Sequence, residues 1–225
     1  MRIVPRLTQL AAVCAVTLAC VASQASAAVM VFTDRASYQA SIGMTASDSF
    51  AALPSGAVIP GPLARSAGGY AYQASVIDTA GLGPDQGATD FFGADNGAGG
   101  TWLSTNFATS FMQFGGFSAP VRGVGGTFFS TDFFGVVTGA ALTFRLVDAS
   151  GTFEFVQAGG APDGFLAFIS DSLIESFSVV SDQTQVDQFA TAASLELGVI
   201  PEPGSMVLLG LGALALVGAR RKRNS

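Results

Sequence analysis

The feature that most constrains the fold is a series of short β-rich runs separated by turns that contain glycine and aspartate. Two of the runs, 142–146 and 153–156, alternate apolar and polar residues, which is typical of a strand with one face in a core. Turn-forming residues lie between the runs, at 148–151, 162–164 and 181–183. Because no long helical repeat interrupts the series, the sequence predicts an all-β domain built as an antiparallel sandwich.

Candidate strands supply the two sheets of this sandwich, and the 19 phenylalanines of the chain supply large rings for the space between them. A short helix is predicted over residues 34–41, with Thr33 as its N-terminal cap and Gly43 at its end. A jelly-roll-like arrangement is the first expectation, and an immunoglobulin-like sandwich is the second. The candidate strands are 29–32, 70–77, 111–114, 121–129, 141–147, 152–157, 165–169, 174–180 and 194–197.

The first residues of the chain, 1–27, have the three-part composition of a secretory signal peptide. Two arginines form a basic start, an apolar run covers residues 10–22, and small residues at Ala25 and Ala27 fit the site that signal peptidase cleaves. The apolar run is shorter than the ~20 residues that a membrane-spanning helix needs. A buried N-terminal helix and a membrane anchor are the alternatives, and the cleavage site favours the signal helix.

The C-terminal end has an equally distinct order, in which a Pro-Glu-Pro motif precedes an apolar segment and a basic cluster. Pro201 and Pro203 flank Glu202 and disfavour helix there, because each proline ring fixes φ and restricts the preceding residue. Residues 204–219 are predicted to form a transmembrane helix of about 24 Å, which snorkelling cations and bilayer thinning can accommodate. A basic cluster follows this helix and should keep the C-terminal end of the chain in the cytoplasm. It consists of Arg220, Arg221, Lys222 and Arg223.

This order resembles the PEP-CTERM sorting signal and covers residues 199–225. The resemblance implies that an exosortase, a membrane-embedded transpeptidase-like enzyme, recognises the tail and removes it near residues 201–203. Members of the family occur in Gram-negative bacteria that make extracellular polysaccharide and biofilm. An uncut membrane anchor is the alternative. The tail therefore predicts an exported protein with a transient stage in the inner membrane, whose domain, residues 28–198, lies outside.

The region between the two ends also resembles the jelly-roll ectodomain of many PEP-CTERM proteins. The resemblance rests on segments 32–38, 48–56 and 164–171, whose motifs are loose. It implies a fold rather than an activity, because these ectodomains have no single shared function.

The composition excludes several classes of function from the mature domain. The chain has no histidine, its single lysine is Lys222, and both cysteines lie in the signal peptide. Ser-His-Asp, Cys-His and Schiff-base catalysis and histidine-ligated zinc are therefore excluded. Four arginines against fifteen acids give residues 28–200 a net charge of −11, which should repel nucleic acid. We predict no catalytic residues and no enzyme; a hydrolase with paired carboxylates ranks third among the functions.

The segment 81–101 contains the candidate metal ligands. Asp85, Asp90, Asp95 and Asn96 place oxygen atoms among glycines, a combination that suits a structural calcium ion. The spacing departs from an EF-hand and no glutamate closes the loop, so a glycine-rich loop without metal is the favoured interpretation. No other cofactor is expected.

Trp102 is the only tryptophan of the chain and follows this segment. An exposed tryptophan could stack on a sugar ring, whereas a single tryptophan in a phenylalanine-rich sandwich more often belongs to the core. Exposure of Trp102 beside other aromatic rings would therefore favour a sugar-binding function, and complete burial would weaken it.

Export, sorting and the missing catalytic residues together favour a non-enzymatic structural or interaction protein of the cell surface or biofilm matrix. The alternative is a carbohydrate-binding, lectin-like module for extracellular polysaccharide, with calcium as a possible structural ion. The expected processing partners are signal peptidase and exosortase, and no nucleic acid partner is expected.

Overall fold

A computed structural model describes residues 28–159, 163–182 and 187–199 of the chain. The alternation of the sequence decides which face of each strand enters the core. Along the strand Tyr70–Ile77, for example, Tyr72 and Val76 are buried, whereas Gln73 between them is exposed.

Fourteen strands and one α-helix, α1 (Arg35–Ile42), make up the regular structure of the described residues, with short 3-10 helices at Phe50–Ala52 and Pro84–Gln86. The strands, in chain order, are β1 Val29–Phe32, β2 Met44–Ser49, β3 Val58–Ile59, β4 Leu63–Ala67, β5 Tyr70–Ile77, β6 Phe91–Asp95, β7 Thr101–Thr105, β8 Phe111–Gly115, β9 Gly123–Thr131, β10 Leu142–Asp148, β11 Gly151–Gln157, β12 Phe165–Ser170, β13 Ile174–Ser181 and β14 Phe189–Val199.

These strands form two antiparallel sheets, so the predicted all-β sandwich is confirmed. The larger, eight-stranded sheet has the order β1-β12-β9-β14-β7-β6-β3, with β2 also paired to β14. The smaller, six-stranded sheet has the order β11-β10-β13-β8-β5-β4. Strand β14 lies inside the larger sheet, with β9 along one edge and β7 and β2 along the other. Its register shifts between Ala192 and Ser194.

Phenylalanine rings fill the space between the sheets, as the composition predicts. Phe177 lies at their centre, with its ring centroid 5.5 to 6.3 Å from those of Phe114, Phe128, Phe144 and Phe168. All five rings are at most 2% exposed. Each pair at such a separation adds ~0.5–1.5 kcal/mol to the stabilisation that its buried area provides.

Helix α1 covers part of the outer face of the larger sheet. Asp34, rather than the predicted Thr33, is its N-cap, because the Asp34 carboxylate accepts the backbone N–H of Ser37 at 2.8 Å. Gly43 ends the helix with a φ of 81°, as predicted. Tyr38 and Ile42 are fully buried against the outer side of β12. Helix α1 therefore covers the part of the outer face that contains β12 and does not extend over the rest of that face.

A buried ion pair joins the two sheets at one side of the sandwich. The Asp48 carboxylate on β2 accepts hydrogen bonds from Arg65 Nε at 2.9 Å and Arg65 Nη2 at 2.6 Å. It also accepts the Tyr72 hydroxyl at 2.6 Å. Since Arg65 and Tyr72 belong to the smaller sheet, this group links the sheets through polar contacts beside the apolar core.

Five strands were not predicted, namely β2, β3, β4, β6 and β7. The favoured interpretation of residues 81–101 as a glycine-rich loop is wrong, because β6 and the start of β7 lie there and pair with each other. Gly93 explains why β6 is hard to recognise: a Cβ at this position would be 1.9 Å from the Pro54 carbonyl oxygen. The glycine is present because of this close backbone approach and does not mark a loop.

The two ends of the described domain meet at one end of the sandwich, which we call the proximal end. Arg122 N–H donates to the Gly198 carbonyl oxygen at 3.0 Å, and the Arg122 carbonyl accepts the N–H of Ser170, the register partner of Val29. We call the opposite end, where Phe189 begins β14, the distal end. The two ends are about 33 Å apart along β14, at ~3.3 Å per residue.

The described residues include no helix with the length and apolarity needed to cross a membrane. The predicted signal peptide, the Pro201–Pro203 motif, the predicted transmembrane helix at 204–219 and the basic cluster lie outside the described residues.

Candidate functional site

A cleft opens at the distal end on the outer face of the larger sheet, beyond the area that α1 covers. The turn 132–136, which follows β9, bends over this face and forms one wall. A Cβ atom on Gly135 would lie 3.8 Å from the Cβ of Ala94, which places the turn against β6. The cleft has a volume of about 210 Å³. Its lining consists of Phe92, Ala94, Ser104, Thr105, Asn106, Thr131, Asp132, Phe133, Gly135 and Phe189.

Asp132 sets the shape of the turn that forms the wall. Its Oδ1 atom accepts the backbone N–H of Phe134 at 2.8 Å and that of Val136 at 2.9 Å. Its backbone N–H donates to the Val136 carbonyl at 2.9 Å, and its carbonyl accepts the N–H of Gly135 at 3.0 Å. Gly135 has a φ of 79°, a conformation that glycine adopts without strain. Four hydrogen bonds therefore hold this short turn in one conformation.

Three hydroxyl groups lie side by side beneath the cleft. The Thr191 hydroxyl donates to Ser104 Oγ at 3.0 Å and lies 3.0 Å from Thr131 Oγ1. All three residues are at most 3% exposed. Because Ser104 and Thr131 also line the cleft, the floor is polar and its groups are held in place by one another.

The walls of the cleft are aromatic. Phe133 is 73% exposed, and its ring lies 6.4 Å from that of Phe189 across the start of β14. Phe92 on β6 is half-buried on the other side. Phe134 and Val136 are 85% and 61% exposed on the same turn and are not part of the lining, and the Phe134 ring packs edge-on against that of Phe133 with centroids 5.6 Å apart. Because these apolar side chains are neighbours on one turn, they form a contiguous exposed patch, a feature that often marks an interaction site.

Asp132 and Asn106 in the lining each have a side-chain oxygen that accepts no hydrogen bond within the described part of the chain. Asp132 uses Oδ1 within the turn, which leaves Oδ2 for a ligand. Asn106 donates Nδ2 to the Gly87 carbonyl at 3.1 Å, which leaves Oδ1. Of the lining residues that the structure describes, only Asp132 is charged, so the cleft combines one negative charge, neutral polar groups and rings.

Trp102 lies beside the cleft and is half-buried. It stands on the same face of β7 as Ser104, and its ring packs edge-on against Phe129 with centroids 4.7 Å apart. The structure thus places it neither in the core between the sheets nor fully in solvent. Its partly open ring and the aromatic walls share one face of the larger sheet.

The four predicted calcium ligands do not come together at one point. Asp90 precedes β6 and Asp95 ends it, which separates them by about 17 Å at ~3.4 Å per residue. Asp95 and Asn96 accept backbone N–H groups of their own turn, and Asp85 lies in a 3-10 helix. Within residues 28–159, 163–182 and 187–199, no three Asp, Glu, His or Cys side chains are placed to hold a metal ion. Calcium binding through a smaller set stays a prediction.

The main residues of the cleft were not singled out in the sequence analysis. The run Asp132-Phe133-Phe134-Gly135 contains the only signal that was available, since an aspartate followed three residues later by glycine is typical of a turn. Two aromatic residues inside such a turn have no place in a core. That contradiction between turn chemistry and apolar side chains marks the site.

Comparison with protein-family models matches residues 199–223 to the PEP-CTERM protein-sorting motif. The match covers the C-terminal end alone, and it confirms the predicted PEP-CTERM sorting motif. No significant match was found among curated proteins or among solved structures. The tail thus implies an exported, envelope-associated protein that exosortase processes, while the role of the sandwich has to be argued from its own geometry.

Proposed function

Because the chain ends in a PEP-CTERM sorting motif, we propose that it is a non-enzymatic interaction or structural protein displayed at the cell surface or in the biofilm matrix. Residues 1–27 direct export and are removed by signal peptidase. Residues 204–219 hold the chain in the inner membrane until exosortase acts near Pro201–Pro203.

The observation that supports display is the arrangement of the two ends of the sandwich. The sorting motif begins at Val199, on the proximal end, where the first described residue also lies. The aromatic cleft lies at the distal end, about 33 Å away along β14. Attachment through the tail therefore leaves the cleft facing outward, free to meet other molecules.

A non-enzymatic role is supported by the chemistry of the cleft. Its lining offers a single carboxylate, Asp132, and no cysteine or cation. Hydrolysis by paired carboxylates needs a second acid within ~5–9.5 Å of the first across the bond. The fixed hydroxyls and exposed rings suit binding better than proton transfer.

The second candidate is a carbohydrate-binding module for extracellular polysaccharide. It is favoured by the half-buried Trp102 beside three ring-bearing residues of the cleft, Phe92, Phe133 and Phe189. Both candidates share export and sorting, and they differ in whether the displayed cleft has a glycan ligand.

Sorting is tested in a bacterium that carries the cognate exosortase. Replacing Pro201, Glu202 and Pro203 by alanine should leave an unprocessed chain in the inner-membrane fraction, whereas the unaltered chain is shortened and leaves that fraction. Pro84→Ala, at an exposed position of a 3-10 helix, is the control and should be processed normally. Equal mass and location of the altered and unaltered chains would refute the proposal.

A further inference from the structure

The geometry points to the distal cleft as a binding site for one neutral sugar ring of a glycan chain. This inference rests on the proposed function, since it names the ligand class of the surface that the sandwich displays. It concerns the residues around Phe133 and Asp132.

The size of the cleft suits a small ligand group. A volume of about 210 Å³ is below the ~300–1,000 Å³ of pockets that enclose a drug-sized molecule. One six-membered sugar ring is of the size that such a cleft admits, and the rest of a glycan chain can leave through its open side. The cleft is thus a site for one residue of a polymer and not for a large compact ligand.

The lining matches the two kinds of surface that a sugar presents. Phe133 and the half-buried Phe92 offer ring surface to C–H groups, whose slight positive charge favours the electron-rich face of an aromatic ring, and Phe189, which is 8% exposed, packs against Phe133. Asp132 Oδ2 and Asn106 Oδ1 offer acceptors to hydroxyl groups. Since both acceptors line the same cleft as the rings, a ligand that meets both kinds of group needs an apolar face together with hydroxyls.

Charge restricts the sugar to a neutral one. Among the described residues that line the cleft, none carries a positive charge, and the single charged group is the carboxylate of Asp132. The surrounding domain has a net charge of −11 over residues 28–200. A uronic acid, phosphate or sulfate would therefore meet repulsion with no cation to offset it.

A lipid surface is the main competing partner for the exposed turn, and two observations disfavour it. The cleft lies at the end opposite to the tail that enters the membrane, so the attached domain points it away from that bilayer. Asp132 would also have to enter the lipid interface with the phenylalanines, and an anionic headgroup would repel the domain. Lipid binding is therefore an outcome of the test rather than the proposal.

The test uses the full-length chain, held by its tail in phosphatidylcholine vesicles, and the fluorescence of Trp102, the only tryptophan of the chain. Dextran, galactan and mannan are the neutral probes and polygalacturonate is the anionic probe. Vesicles with brominated acyl chains, which quench a tryptophan that lies against the bilayer, are the lipid probe. We expect saturable binding of at least one neutral polymer, unchanged by chelator, no binding of polygalacturonate, and the same Trp102 emission in brominated and ordinary vesicles. No binding of the three neutral polymers, preference for polygalacturonate, quenching by the brominated lipid, or loss with chelator would overturn the inference.

Two side chains of the turn 132–136 provide the matched variants. Phe133→Ala should weaken binding of the neutral polymer about tenfold, because it removes the ring that lines the cleft. Val136→Ala truncates an apolar side chain that is 61% exposed on the same turn and is not part of the lining, and should leave binding unchanged. Equal loss in both variants would overturn the site. A chain that is sorted normally but binds no sugar refutes this inference and leaves the proposed display function intact.

Discussion

Removal of the Asp48 carboxylate is the sharpest test of how the two sheets are held together. In Asp48→Ala the Arg65 guanidinium loses both of its carboxylate hydrogen bonds, and the Tyr72 hydroxyl loses its acceptor. Asp48 is 6% exposed, so water replaces the lost oxygens poorly. The variant therefore leaves a positive charge and a hydroxyl donor between the sheets without their partner.

The magnitude follows from burial. Removing one partner of a buried ion pair costs ~3–5 kcal/mol, since the other charge is left uncompensated. The Arg65 side chain is 21% exposed and can turn in part toward water, so we expect the lower end, about 3 kcal/mol. For a domain of this size, each kcal/mol lowers Tm by ~2–4 °C, and Asp48→Ala should lower it by about 6–12 °C.

Urea unfolding followed by circular dichroism measures this change, and Glu154→Ala is the matched control. Glu154 pairs with Arg145 at 2.7 Å, nearly the distance of the Asp48 pair, but the two side chains are 54% and 47% exposed. A pair in water contributes ~0–1 kcal/mol, so the control should change little. Equal destabilisation by the two variants would show that burial does not decide the contribution of these pairs and would refute the reasoning.

Two further predictions concern a glycine and a tyrosine of the sandwich. Gly93→Ala should destabilise the domain by ~3 kcal/mol or more, because the new Cβ would meet a backbone oxygen at 1.9 Å. The control is Gly69→Ala, whose new Cβ would have no neighbour within 4 Å and should leave the stability unchanged. Equal Tm values of the two variants would contradict this prediction. Burial and the hydrogen bond to Asp48 raise the pKa of Tyr72, so the folded state keeps a proton that the unfolded state loses above pH ~10. The free energy of unfolding should therefore be at its full value below that pH and fall above it, and it should fall less steeply in Tyr72→Phe. An equal loss of stability between pH 8 and pH 11 in the unaltered chain and in Tyr72→Phe would contradict this prediction.

The strands that could be predicted are those whose alternation is plain in the sequence. The alternating runs 142–146 and 153–156 lie within β10 and β11, and the β-rich runs 29–32 and 70–77 match β1 and β5 at both ends. Strand β2 has the sequence Met-Thr-Ala-Ser-Asp-Ser and lacks this pattern. It is a strand because its backbone pairs with β14 and because Asp48 has a partner in the other sheet. Such pairing depends on residues far away in the chain.

The cleft was less predictable than the fold for a related reason. Trp102 was recognised as a residue that could contact sugar, but its neighbours were not, since Phe92, Phe133 and Phe189 come from three separate parts of the chain. Only the strand order β9-β14-β7-β6 brings them to one face. The sorting motif of the tail could be predicted because it is local in the sequence and needs no partner elsewhere.

The position of β14 has a mechanical consequence. Phe189, at its first residue, borders the cleft, and Val199, at its last, begins the sorting motif. A pull between a bound glycan and an attached tail would run along this one strand. Ladder hydrogen bonds lie perpendicular to the strands, so the bonds to β9 on one side and to β7 and β2 on the other would bear the load together. These hydrogen bonds would be loaded in shear and would have to break together, whereas bonds pulled along their own direction break one after another. A sheet resists force best in the shear geometry.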